Sequence, residues 1–402
     1  MILIVLCAQS IVFNNYADTL IRGIYINPYQ ASRTEYMDKV FAWADSGAIN
    51  AIMVDLKSDY GFLSYDSKLE FAGKLDAVKR YIKIDELVAR AKAHNVKLIA
   101  RLVCFRDNYT TKDPDCALLD AEGNVWKDHK GMSWANPYSK KMREYLLDIT
   151  KEIADLGVAV IVYDYIRFPT DGDLSKIMLN DVSCPRDQIL HDFLIAAKKT
   201  VKAKIGICIF GFAVWHPLRN EGQDIAKMGK YVDLIFPMLY PSHFGDSFKR
   251  WDNDYWRNYW IYYDSVIRAR QKLPQSVRLI PYIQGFDYKA DSFNGDYVYT
   301  QIMGSFDAGA SGVFIWNAGC DYSVSWAPLS WAHNSYLRRY VQSCLNNHRK
   351  EAGQRYQDID FGPVLAQLKT QMKNLTMYQS DNQFDIRPLR RIRKFDPDQL
   401  IP

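Results

Sequence analysis

The sequence predicts an α/β protein, a (β/α)8 TIM barrel with long loops at its C-terminal rim and a C-terminal extension. Three observations carry that reading. From Ile21 onward, short β-branched runs bounded by Gly, Asn or Pro alternate with helical stretches of about a dozen residues, the rhythm of a parallel sheet. Eight such runs fit within about 320 residues, the scale of one barrel with insertions. No GxGxxG motif follows any of them, which removes the main signature of a dinucleotide-binding doubly wound sheet.

The strand candidates, in order, are 21–27, 51–57, 97–105, 158–168, 204–212, 232–240, 278–286 and 312–317. Helices are expected at 34–46, 84–94, 138–156, 186–203 and 255–272. The clearest is 138–156, with Asn136 as N-cap, Pro137 at the first position and Gly157 as the stop. Two connections, 58–81 and 106–135, exceed the usual 4 to 6 or so residues. Both leave the C-terminal ends of strands, so both are expected to wall a cleft.

The chain has 402 residues, 48% hydrophobic and 24% charged, enough apolar material for one large domain or two ordinary ones. The barrel is expected over 21–345. Residues 346–402 form a polar extension with a basic cluster, Arg387, Arg390, Arg391, Arg393 and Lys394, read as a solvated face. Residues 1–8 are continuously apolar, too short to span a membrane, and segment 1–20 reads as the remnant of an export signal. An exported protein, periplasmic, secreted or envelope-associated, is the expectation. A net charge of +5, from 51 basic and 46 acidic residues, argues for no nucleic-acid partner. Seven Cys without a CxxC pair argue against a zinc knuckle or a dense disulfide framework, and no His/Asp/Glu cluster has metal-ligand spacing, so neither metal nor other cofactor is expected. Aromatic residues make up 14% of the chain, with 27 Tyr and 10 Trp, which suggests a cleft for something flat-faced and polar. Sugars fit that description, so a carbohydrate is the expected partner. The oligomeric state is not legible.

Chemistry is sought where barrel strands end. In the fourth strand, alternation puts Val160, Val162 and Asp164 on one face, an apolar row ending in a carboxylate. Arg167, three residues on, is placed to hold that carboxylate ionised or to clamp a substrate. The second strand repeats the arrangement with Ala51, Met53, Asp55 and Lys57. Two lumen-facing carboxylates from different strands are what work on a glycosidic bond requires, and Asp164 and Asp55 are the candidate catalytic pair. Candidate substrate-binding residues are Lys57, Arg101 of the third strand, Arg167, Tyr240 and His243 of the sixth, Gln284 of the seventh, and Trp316 and Asn317 of the eighth. Asp233, at the opposite end of its strand, is expected to be structural.

The strings VDLKSDYG (54–61), LLDAEGNVWKDHKGMSWANPYS (118–139), VYDYIRFPTDG (162–172) and VDLIFPMLYPSHF (232–244) occur in that order. Together they resemble a glycoside hydrolase family first catalogued as a bacterial domain of unknown function, distantly similar to α-amylase and α-galactosidase type barrels. The resemblance covers about 21–340. It implies a TIM barrel, glycosidase chemistry and an exported bacterial protein, and it matches Asp164 to the fourth-strand position that supplies the nucleophile in the better-known barrels. It implies no particular substrate. The sequence departs from those barrels at the fifth strand, which ends without a carboxylate. The acid/base is therefore sought at Asp55 first, then Asp59, Asp107, Asp246, Asp287 and Asp321. The readings in competition are a hydrolase of a polysaccharide or cell-envelope glycan, a barrel that binds a glycan without cutting it, and a lyase or deacetylase. A second carboxylate close to Asp164 favours the first.

Overall fold

The computed structural model describes residues 20–179, 182–249 and 254–330. Apart from Leu20, the expected export segment lies outside the described residues, as does the extension 346–402.

Eight parallel strands form a closed barrel: β1 (Ile21–Ile26), β2 (Ala51–Lys57), β3 (Lys97–Val103), β4 (Val160–Asp164), β5 (Lys204–Phe210), β6 (Leu234–Met238), β7 in two pieces (Arg278–Leu279 and Tyr282–Gln284) and β8 (Gly312–Trp316). Each pairs with the next, and β1 closes the ring by pairing with both β2 and β8, Ile21 opposite Gly312. All eight expected strands are present, mostly with shorter ends. The fourth stops at Asp164 because Tyr165 adopts φ +49°, a left-handed conformation that turns the chain off the sheet. The seventh breaks at Ile280-Pro281, where proline has no N–H to give to a ladder.

Inward-facing residues fill the lumen in register. Ala51 and Met53, Ile99, Val162, Cys208, Leu234 and Phe236, Ile280 and Tyr282, and Phe314 form one buried cluster. Gly23 of β1 belongs to that packing: a Cβ there would lie 2.1 Å from the ring of Phe314. The long helices are α1 (Thr34–Asp45), α2 (Ile84–Ala93), α3 (Lys140–Asp155), α4 (Arg186–Thr200), α5 (Asp254–Lys272) and α6 (Gly295–Asp307). In α3 the buried Met142, Tyr145, Leu146, Ile149 and Ile153 recur at helical spacing. Its cap is Ser139, not Asn136: the Ser139 hydroxyl accepts from the Met142 amide. Asn136 instead accepts from the Tyr138 amide at 2.9 Å, holding an Asx turn ahead of the helix.

Helix α6 was not expected. Gly295, Gly304 and a Tyr-Val-Tyr-Thr run lower its intrinsic propensity, but packing overrides that. A Cβ at Gly304 would lie 2.3 Å from the Tyr259 carbonyl, so glycine lets α6 approach α5 closely. The long connection after β2 folds into a strand at Leu63–Tyr65, antiparallel to β2, with Val78–Ile82 alongside it. The one after β3 doubles back on itself through bridges such as Arg106 to Trp134 and Lys127 to Ser133. No helix among the described residues is long and apolar enough to cross a membrane. The five described cysteines, Cys104, Cys116, Cys184, Cys208 and Cys320, are free.

Candidate active site

The parallel register sets Asp55 of β2 beside Arg101 of β3, and Arg101 beside Val162 of β4, two residues before Asp164. All three polar residues therefore rise on the lumen side, just above the apolar layers. Arg101 gathers three carboxylates. Its Nη1 donates to Asp55 at 2.7 Å, its Nη2 to Asp59 at 2.9 Å, and its Nε to Asp164 at 2.9 Å. The guanidinium lies over the Trp316 ring at 4.9 Å and near that of Tyr25 at 5.6 Å, the two rings being stacked. The second oxygen of Asp164 accepts from the Tyr165 amide at 2.7 Å, and that of Asp55 accepts from the Tyr25 hydroxyl at 2.7 Å.

Three carboxylates around one guanidinium cannot all be ionised without cost. Asp55, the most deeply buried, takes up the difference. Burial, with the charge of Asp59 adding to it and Arg101 opposing it, pushes the Asp55 carboxyl up to about 7. Its partner Tyr25 is raised well above the usual phenol range by burial and by Asp55, and stays a hydrogen-bond donor. Asp59 differs in access: its side chain is 35% exposed, against 3% for Asp55 and 7% for Asp164.

Asp164 thus draws its cation from Arg101, and not from Arg167 as the spacing suggested. A bulge in β2 between Asp55 and Lys57 takes Lys57 out of the alternation that would have set it beside Asp55. Lys57 is fully buried, donating to Asp107 at 2.6 Å and to the Val103 carbonyl at 2.8 Å. Asp107 is spent there too, and it accepts from the Tyr109 and Thr110 amides. Gly61, at φ +102°, makes room for it, since a Cβ there would lie 2.0 Å from its carboxylate. Arg167 is carried past the left-handed Tyr165 into a cage of aromatic faces, 4.9 Å from Trp134, 4.8 Å from Tyr165 and 4.4 Å from Phe210.

Of the other candidates, Tyr240 and His243 stand on the mouth with Phe286 and Tyr288 as an aromatic wall, Tyr240 and His243 lying 5.3 Å apart edge to face. Burial and nearby Lys289 push the His243 imidazole down, favouring its neutral form. Gln284 is wholly enclosed. It accepts from the Ser242 amide and donates to the Phe286 and Tyr288 carbonyls, so it ties together the loops after β6 and β7. Asn317 bonds the Gly285 and Asp321 carbonyls and the Gly319 amide, shaping the loop after β8. Asp246, Asp287 and Asp321 are exposed. Asp233 pairs with Lys198 at the opposite end of the barrel, as expected. Among the described residues no three His, Cys, Asp or Glu side chains form a metal-binding group.

A closed parallel barrel with carboxylates gathered at the C-terminal mouth defines the class, a TIM-barrel protein of the glycoside-hydrolase type. The family described as "Putative glycosyl hydrolase domain" matches residues 23–322, and the chain belongs to that family. No curated protein matches it. Among solved structures, the chain is similar to the PgaB (BpsB) glycoside hydrolase domain from Bordetella bronchiseptica, at 10% identity and TM-score 0.55 over 74% of this chain and 94% of that one. It is similar also to an endo-1,4-beta-D-mannanase from Thermotoga petrophila RKU-1, at 14% identity and TM-score 0.50 over 80% and 99%. A hypothetical protein from Ruminiclostridium thermocellum ATCC 27405 is 28% identical, with TM-score 0.44 over 46% and 96%. The likeness to the first two is one of fold.

Proposed function

We propose that the protein hydrolyses a glycosidic bond in a polysaccharide or cell-envelope glycan, with Asp164 as the ionised carboxylate that attacks the sugar or activates water. The observation that carries this is the gathering of Asp55, Asp59 and Asp164 on Arg101. Two acidic side chains sharing a guanidinium are no more than about 8 Å apart, a separation open to either retaining or inverting chemistry. Asp164 has both carboxylate oxygens fixed by donors, one from Arg101 and one from the Tyr165 amide, which sets it facing the mouth for such a step. The proton for the leaving group comes from the Asp55–Asp59 pair. Asp55 has the raised pKa of a group that carries a proton near neutrality, while Asp59 has the exposure needed to reach a glycosidic oxygen.

The test is a screen of polysaccharides with product analysis, repeated on Asp164→Asn, Asp55→Asn and Asp59→Asn. Loss of turnover with Asp164→Asn, and loss of the alkaline limb of the rate profile with whichever partner supplies the proton, is the expected result. A native chain that binds a glycan but releases no product would point to the non-catalytic barrel instead.

A further inference from the structure

Among the described residues Arg167 is a buried cation without an ionic partner. Only 7% of it is exposed. Its Nη1 donates to the Phe168 carbonyl at 3.0 Å and to the Thr170 hydroxyl at 3.4 Å, and among the described residues it forms no ion pair. Asp164, Asp171 and Glu221 are near enough to be felt through space, yet none reaches it. A guanidinium taken this far out of water is costly unless something meets its charge. The faces of Trp134, Tyr165 and Phe210 meet part of it, and fix the plane of the group as they do so.

What is left is the Nε–Nη2 edge. Among the described residues neither nitrogen has a protein acceptor, both printed hydrogen bonds leaving from Nη1. The group stands above Phe210, the last residue of β5, and beside Tyr165, which follows Asp164, so that edge belongs to the barrel mouth. A planar two-donor fork is the shape that receives a carboxylate in two parallel hydrogen bonds. The electrostatics of the mouth sharpen the point. The cluster below it crowds three carboxyl groups, Asp55 among them with its raised pKa, around one guanidinium, which disfavours an anionic sugar, and the neighbouring Arg106 is already turned to Asp128 at 3.5 Å. An anion enters such a site only if a further, unneutralised cation receives it.

From this we infer that Arg167 recognises a carboxylate borne by the substrate, so that the glycan held in this cleft contains acidic sugar units. The inference rests on the cleft being the glycan site, but not on hydrolysis. A rival role for Arg167 is to keep Asp164 ionised from a distance, which would affect acidic and neutral substrates alike.

The test uses the full chain carrying Asp164→Asn, to prevent turnover, on an array of oligosaccharides matched in linkage and differing only at C6: hydroxymethyl, carboxylate or sulfate ester. Carboxylate members should bind roughly 10- to 100-fold tighter than their neutral twins. Adding Arg167→Gln should abolish that preference, and Arg167→Lys, which keeps the charge but loses the fork, should restore part of it. Sulfate members binding as well as carboxylate ones would support an anion site of broader class. Neutral members binding as tightly as acidic ones, no acidic member binding at all, or a preference that survives Arg167→Gln in a folded chain would each overturn the inference. Should Arg167→Gln not fold, the Lys variant and the matched pairs still decide. Product analysis on the native chain separates the two readings: acidic-glycan binding without cleavage sinks hydrolysis alone, and cleavage without acidic preference sinks this inference alone.

Discussion

Replacing Asp164 by Asn leaves Arg101 still paired with Asp55 and Asp59, so no buried cation is orphaned, and one carboxyl fewer crowds the guanidinium. Thermal stability should therefore stay within a few degrees of the native chain, while turnover on a cleaved glycan falls by about four orders of magnitude or more. A melting curve beside a rate checks both halves; a stable variant with native turnover removes Asp164 from the mechanism. The proton on Asp55 has a signature of its own. Its folded pKa of about 7 lies above the ordinary carboxyl value of 3.8, so the folded state keeps a proton that the unfolded chain has lost. Stability from this group is full at low pH and drains away as pH rises through that window. The melting temperature of the native chain minus that of Asp55→Asn should fall from about pH 4 to about pH 7, and a flat difference would contradict a proton held on Asp55. Asp164 and Asp55 were legible in the sequence because an acid closing an alternating apolar strand has few places to go. Arg101 as their common cation was not: it lies on a third strand, and only the register sets it opposite Asp55.

At the level of elements, Gly23 and Phe314 make one unit of the lumen although β1 and β8 stand at opposite ends of the barrel sequence. Gly23→Ala should cost about 1 to 3 kcal/mol, since the added methyl meets the Phe314 ring. Pairing it with Phe314→Leu should recover part of that loss, and denaturant titration of the four chains in the cycle measures the coupling. Additive losses would mean that the two do not share space. The strands were readable because period-2 apolar runs bounded by turn residues survive in any context. Less readable were features that depend on a neighbour: the bulge that diverts Lys57, the proline break in β7, and α6, whose glycines look like helix breakers until α5 is seen against Gly304. Arg167 belongs with these. Its distance in sequence from Asp164 suggested a pair, and the left-handed Tyr165 between them sent it elsewhere.

For the molecule as a whole, closure ties β1 to β8, so no proper subset of strands completes the ring. A chain ending before Gly312 should lack cooperative melting by circular dichroism; a sharp transition in that fragment would show that the remaining strands suffice. The joining of Ile21 to Gly312 also bears on how the protein comes to exist. One partner is made almost 300 residues before the other, so the last ladder waits on the slowest contact in the barrel. Until it forms, β1 and β8 are open edges, each able to accept a strand from another copy. Refolding yield should therefore drop as protein concentration rises, while protein already folded, with its ring shut, stays soluble at the same concentration.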